Sequence, residues 1–505
     1  MNKGIQYPFR TRDQKNHKEE LSRIAVGVMI VRGLEPDFPA AVIDQLNEID
    51  GPAQEQDPAI VDLRNLPWCS IDNDDSRDLD QLTVLKDSSG TSYQLLVAIA
   101  DVDALVKKDT PIDEHAFINT RSVYTSARIF PMLPLKLSTN LSSLNPGEDR
   151  LAIVCEMHFT KAGLLNKSSI YRALVRNQAQ LAYDATSDWL EGHAELSEAG
   201  KSVSELSSQL RAQDELAQKL RVRRHESGSL EFDIFQPRAN FIDNEISEIK
   251  QQPHNRARQL IEEFMIATNG CTSRFLAHAG IYSMRRVVRS PERWLRIVKV
   301  ALDHGFTLPN QPDAQALEVF LAKQHKEDPV RFPDLSLLIV KLMGSGEYIV
   351  EKPTNKPIGH FGLAVSDYMH STAPNRRYPD IITIRLLKSV LAGQQPPYSV
   401  DELKAMALHC TIQEDSTKKV ERQLRKSEAA LLLRTRIGQY FNGIVSGVNE
   451  KGTWIRLFDP PVEGRLISDT QGYAVGHLIR VKLVSTHVER GFIDFVAADS
   501  PHNHE

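Results

Sequence analysis

Residues 71–80 read IDNDDSRDLD and are followed by Gln81, so ten positions hold five aspartates: Asp72, Asp74, Asp75, Asp78 and Asp80. Carboxylates this close repel one another and resist ionising together, so the segment is tolerable only where water or cations screen it. It also runs straight into two apolar stretches, 79–86 and 93–100, separated by Asp87-Ser88-Ser89-Gly90, a turn composition. The acids are therefore expected at the mouth of a half-buried hairpin. Strand spacing places Asp78 and Asp80 on one face, and a turn centred near residue 89 brings Asp101 and Asp103 to the same end. Converging carboxylates hold hard cations such as Mg²⁺ or Mn²⁺. Two such ions roughly 4 Å apart serve phosphoryl displacement. A solvated acidic loop ahead of a strand is the plainer alternative, and spacing alone names no substrate.

A second constellation lies in GHFGLAVSDYMHSTAPNRRYPDIITIR (359–385), which carries His360, Tyr368, His370, Arg376, Arg377, Tyr378 and Arg385. Pro379 suits the first turn of a helix running to Gly393. The free N–H groups of such a helix start favour phosphate, and an arginine pair adds bidentate forks. Interleaved Tyr and His suit base stacking. The alternative is an arginine pair tied to Asp380 or to another acid. Basic groups at 221–224, 285–296 and 418–426 read singly as solvated helix faces and together as a phosphate channel.

The rest of the chain bounds these readings. Its 505 residues, 41% apolar and 25% charged, fit two or three ordinary globular domains. A net charge of −5 argues mildly against a nucleic-acid partner, but an acidic chain can still cluster its arginines. Cys69, Cys155, Cys271 and Cys410 form no CxxC pair, which argues against a zinc ribbon or disulfide framework and for a reducing compartment, the cytoplasm. The longest apolar runs fall well short of the roughly 20 residues that span a bilayer, and the basic N-terminus has no apolar leader. Helices are expected over 18–47 (two short ones), 256–279, 379–393 and 402–437, with a small β-barrel over 439–497.

These segments together resemble the ribonuclease II / ribonuclease R family, whose catalytic unit is the RNB domain. The likeness rests on IDNDDSRDLDQL, VAIADV (97–102), SVYTSARIFPMLPLKLSTNLSSLNPGEDRLA (122–152), QLIEEFMIATN (259–269), HFGLA, and the run Tyr-x-His-x-Thr-x-Pro-x-Arg-Arg-Tyr-x-Asp at 368–380. The barrel is similar to the family's OB-type RNA-binding domain. The resemblance implies an α+β fold: a helical N-terminal region with a basic arm (1–54), a large RNB-type catalytic domain with a mixed β core wrapped by helices (55–437), an OB-type barrel (438–497) and a tail (498–505).

It also implies a divalent-metal-dependent hydrolytic 3′-to-5′ exoribonuclease that acts on single-stranded RNA and releases nucleoside 5′-monophosphates, with Mg²⁺ or Mn²⁺ as cofactor. Asp72, Asp78 and Asp80 then match metal ligands, with Asp78 and Asp80 also catalytic, and Gln81 occupies a fourth ligand position where the family has Asp. Arg376 matches the arginine that steadies the scissile phosphate, and Arg377 is its neighbour. Tyr124 matches a stacking tyrosine, and Glu347 and Glu421 match substrate-contacting acids. His360, Tyr368, Tyr378 and Trp454 complete the expected RNA contacts, with Phe441 and Lys451 of the barrel as further candidates.

Three departures stand out. Gln81 offers a neutral carbonyl where a charge is usual. TAPNRRY replaces the family's T-S-P-I-R-R-Y, and Ile384 stands where His is usual. The front of the chain is too short for the family's tandem cold-shock barrels. Two alternatives follow: an RNA-binding protein of the same fold with weakened or lost catalysis, and an enzyme trimming the 3′ end of a structured RNA such as a tRNA.

Overall fold

The computed structural model describes residues 16–498 apart from 88–91, 234–236, 252–254, 354–356, 451, 469–471 and 474. Most of the basic arm, most of the C-terminal tail, Lys451 and the tip of the 81–100 hairpin lie outside the described residues. Among those described, no helix is long and apolar enough to cross a membrane.

A seven-stranded sheet forms the core of the larger unit. Its order is Val61–Asp62, Leu165–Arg176, Asp149–Thr160, Ser92–Ala100, Gln81–Asp87, Cys69–Asp72 and Ala179–Ala182. The middle strands are antiparallel, and the short strand at each edge runs parallel to its neighbour. Ser92–Ala100 is buried along most of its length, as its continuous apolar run demands of a strand covered on both faces. The helix Leu206–Glu226 is tied to the sheet by polar contacts: Thr83 Oγ1 donates to Gln213 (2.9 Å), and the Leu85 N–H donates to Gln209 (2.8 Å). Both contacts satisfy groups that burial would otherwise leave unpaired.

The hairpin register sets the site. Gln81 pairs with Ile99, so the acidic segment ends where the strand begins. Residues 73–80 are not strand, contrary to the spacing argument; the strand begins at Gln81. Asp78 and Asp80 are placed by loop contacts, not by a pleat.

Three helices matter for function: Arg256–His278, Tyr378–Leu391 and Val400–Leu433. The last opens with a capping box in which the Ser399 and Glu402 side chains each satisfy a backbone N–H. It leads into a closed five-stranded barrel made of Tyr440–Asn449, Gly452–Leu457, Glu463–Leu466, Leu478–His487 and Phe492–Ala497. The first helix, His17–Val31, lies against the long helix. Leu21, Ala25 and Met29 from the first helix, Val420 and Leu424 from the long helix, and Val445, Leu483 and Phe495 from the barrel belong to one apolar cluster. Phe441, which the sequence offers as an RNA contact, is part of that core at 8% exposure.

Candidate active site

Asp72 closes the strand Cys69–Asp72. Its Oδ1 accepts from the Asn73 N–H and from Ser76 Oγ, both at 2.8 Å, which turns the chain away from the sheet. Asn73 in turn accepts from Arg258 at 2.7 Å. The loop is then held to the LSSLNP run: the Leu79 N–H donates to Ser143 Oγ (2.9 Å), and Ser143 Oγ donates to the Arg77 carbonyl (2.8 Å).

Asp80 is the buried centre of the site, 1% exposed. Its Oδ1 accepts from the Asn375 N–H at 2.8 Å and its Oδ2 from Arg376 Nε at 3.0 Å. Burial pushes its carboxyl up to about 7; the Arg376 charge opposes that shift and the neighbouring Asp78 adds to it. Burial likewise raises Asp72. Asp78 Oδ2 accepts from the Tyr124 hydroxyl at 2.8 Å, and the Tyr124 N–H donates to Glu421 at 3.3 Å. Five of the expected residues (Asp78, Asp80, Tyr124, Arg376 and Glu421) are thus brought into one linked cluster.

The arginine pair divides its work. Arg377 donates to Asp380 at 2.8 Å, and the fully buried Asp380 also accepts from the Ala373 N–H at 2.8 Å. The salt-bridge alternative therefore describes both: Arg377 is tied to Asp380 and shapes the helix start, and Arg376 is tied to Asp80. Arg376 keeps 41% of its side chain exposed beside Asp80 and can still reach a phosphate. Asn375 is the residue the sequence did not single out. Its signal was only its place before the arginine pair, because its contribution is a backbone N–H.

Around His360 the rings gather edge to face. His360 and Tyr368 lie 5.5 Å apart, Tyr368 and His370 5.7 Å. The Tyr348 hydroxyl and His370 Nδ1 are 2.7 Å apart. Burial, reinforced by the Arg286 charge, brings His360 down to about 4, so it is neutral at pH 7. Gly359, at φ 79°, lies where a Cβ would stand 2.8 Å from the Val365 carbonyl, so this bend requires glycine. Glu347 is paired with Arg289 at 2.6 Å.

Two expectations are corrected. Tyr378 is 2% exposed, packs against Phe117 and lies 3.5 Å from Arg385 through its hydroxyl; it belongs to the core and not to an RNA-facing surface. Asp101 pairs with Arg172 and Lys388, and Asp103 with Arg385 and Lys388, so neither joins the acidic loop. Their proximity in register is overridden by the cations they neutralise. Trp454 sits in the barrel, lining a cavity of about 310 Å³ with Lys426, Arg465 and Phe492.

Asp72, Asp78 and Asp80 offer carboxylate oxygens, the kind of donor a hard cation takes. Asp72 Oδ2 and Asp78 Oδ1 carry no hydrogen bond, whereas both oxygens of Asp80 are engaged. As the side chains stand, no three His, Cys, Asp or Glu among the described residues are gathered closely enough to hold a metal ion. Gln81, 6% exposed, adds no charge to the set.

The carboxylate loop thus meets an arginine at a helix start, and a closed barrel follows the larger unit. Residues 60–393 match the RNB domain, and residues 439–498 match the RNase II-type exonuclease C-terminal S1 domain. The chain belongs to the RNB family, whose nucleases are divalent-metal dependent. It is 31% identical to Escherichia coli ribonuclease R over 498 residues, covering 91% of this chain and 60% of that protein. Against Aquifex aeolicus ribonuclease R it is also 31% identical, over 97% of this chain and 72% of the relative. The chain thus spans about 60% of the length of the first curated relatives it matches. Its fold superposes on Mycoplasma genitalium RNase R, solved with ribose-methylated single-stranded RNA, with a TM-score of 0.85, 22% identity, and coverage of 96% of this chain and 78% of that one. Yeast Ssd1, described as a pseudonuclease, superposes with a TM-score of 0.68 at 16% identity, covering 91% of this chain and 56% of that one.

Proposed function

We propose that this chain is a divalent-metal-dependent exoribonuclease that removes nucleoside 5′-monophosphates from the 3′ end of single-stranded RNA. The observation that carries the reading is the contact of Arg376 with Asp80 at 3.0 Å beside the Asp78–Tyr124 hydrogen bond. An electropositive group then lies beside Asp80, and a stackable ring beside Asp78, with Asp72 close enough to feel the Arg376 charge. Asp72, Asp78 and Asp80 would hold Mg²⁺ or Mn²⁺, which when bound activates water for attack on a phosphodiester. Arg376 would take the charge developing on the phosphoryl oxygens. Tyr124 would stack on a base near the 3′ end, with its hydroxyl on Asp78 fixing the ring. The buried, unpaired cysteines suit the cytoplasm as the place of work.

The test is direct. Purified protein with a series of divalent metals is given uniformly labelled single-stranded RNA. The reading expects metal-dependent release of mononucleotides, and its absence with every metal would overturn it. Tyr124→Ala should weaken binding of short RNA about tenfold, the lower part of the roughly 1–3 kcal/mol that one base stack supplies, as read by fluorescence anisotropy.

A second reading, RNA binding with lost catalysis, is favoured by Gln81 alone. The two separate in one experiment. Gln81→Asp adds a charged oxygen ligand, so half-maximal activity should move to lower Mg²⁺ concentration. A chain that binds RNA, hydrolyses nothing, and gains activity only with Gln81→Asp would be a pseudonuclease.

A further inference from the structure

A cavity of about 680 Å³ shares no residue with the acidic loop, Arg376 or the rings around His360. Small-molecule sites usually span roughly 300–1,000 Å³. Three parts of the chain bring cations to it: Lys107 and Lys108 from the loop that follows the strand Ser92–Ala100, Arg172 from the strand Leu165–Arg176, and Lys388 from the helix Tyr378–Leu391. The carboxylates that face these cations are of two kinds. Asp101 and Asp103 pair with Lys388 at 3.1 and 2.8 Å and are part of the folded unit. Glu55 and Asp57 come from residues 53–57, which belong to no helix or strand.

Glu55 occupies the place of an anionic ligand. Its Oε1 accepts from Arg172 Nη2 at 2.7 Å. That hydrogen bond holds the Glu55 carboxyl below the usual carboxylate range against the effect of burial, and the charges of Lys388 and Lys107 add to the pull. Cations from three parts of the chain thus converge on one carboxylate. Asp57 stands 3.8 Å from the same guanidinium. The segment that carries both acids is held lightly. Among the described residues, no hydrogen bond engages the backbone of 53–56, and the Glu55 and Asp57 side chains remain 33% and 45% exposed. Arg172 in turn has a buried Nε with no partner, a donor that is costly to bury until an acceptor meets it.

One phosphate monoester can replace two carboxylates here charge for charge, since it carries about −1.5 to −2 near pH 7 and offers three acceptor oxygens. A guanidinium takes such a group through two parallel hydrogen bonds. The cavity is also lined by Ser389, Gln394 and Gln395, whose hydroxyl and amides suit the polar edge of an attached sugar or base. We infer that this cavity is a binding site for a small phosphate monoester of the size of a nucleoside 5′-monophosphate, which displaces Glu55 and Asp57 from Arg172. The inference stands apart from the exoribonuclease reading, although the product of that reaction is a ligand of this class.

The test is titration calorimetry on the full chain without divalent metal, with uridine 5′-monophosphate as the probe and uridine as the same molecule lacking phosphate. Glu55→Gln with Asp57→Asn removes the resident carboxylates and should tighten nucleotide binding about tenfold, the lower end of what a charge-assisted hydrogen bond contributes. Lys107→Gln with Lys108→Gln should weaken it by about the same factor. Arg376→Ala, in the candidate active site, should leave the nucleotide affinity in place, and uridine should bind none of these chains. Melting curves without ligand check that each variant is folded, and the nucleotide should raise the melting temperature most in the chain without Glu55 and Asp57. No nucleotide binding to that chain would overturn the inference and leave the cluster as an ion-pair network that pins 53–57 to the sheet. Binding that the lysine changes leave intact and Arg376→Ala removes would overturn it in favour of the active site. Uridine binding as tightly as its monophosphate would overturn it as well, because phosphate would not be what the cavity recognises.

Discussion

Asp80→Asn should abolish mononucleotide release while leaving RNA binding in place. The loss should be at least about 10³-fold, because a charged oxygen at a phosphoryl-transfer site is worth several kcal/mol. The contacts explain why so conservative a change is severe. Both carboxylate oxygens of Asp80 accept, one from the Asn375 N–H and one from Arg376 Nε. An amide offers only one acceptor and turns an N–H₂ toward a donor, so one of these contacts must break. Single-turnover hydrolysis beside an RNA titration separates the two effects. Mononucleotide release that survives Asp80→Asn would remove this residue from the centre of the site.

Arg376→Ala should lower kcat/KM by about 10²- to 10³-fold, the usual cost of one preorganised donor. It should also change the pH profile. Burial holds the Asp80 carboxyl near 7 while the Arg376 charge pulls it downward. A protonated carboxyl can neither hold a cation nor pair with arginine, so activity should fall on the acid side, at a pH that a bound dication sets below that of the metal-free carboxyl. Without Arg376 the downward pull is lost, and the acidic limb should move to higher pH. Arg376→Lys should restore much of the limb's position but little of the rate, because an ammonium supplies charge without the planar fork. A limb that does not move in Arg376→Ala would show that another group governs the profile.

Much of this architecture was legible in the sequence because it rests on periodicity and punctuation. The helix after Arg377 announces itself through Pro379, and the barrel through its short apolar runs broken by glycine and proline. The acidic loop and Arg376 stood out through the family resemblance, since charge density alone left a solvated loop and a salt-bridged arginine pair open. What stayed hidden was decided by partners distant in sequence. Asp101 and Asp103 look like further ligands until Lys388 and Arg172 are seen against them. Tyr378 looks like a stacking ring next to two arginines, but the helix turns it inward against Phe117. Asn375 acts through a backbone N–H, which no side-chain pattern reports. The alternation rule failed at 78–80 because hydrogen bonds to Ser143, not a pleat, set that segment.

The apolar cluster shared by the first helix, the long helix and the barrel has a mechanical consequence. A barrel mounted on a flexible tether could travel with its ligand, whereas one whose core continues into the long helix is welded to the catalytic unit. On the activity proposed above, RNA shortened one nucleotide at a time must therefore slide across a stationary barrel toward Asp80. Grip there then acts as friction as well as affinity, and tightening the barrel's hold on RNA would slow the advance of the strand.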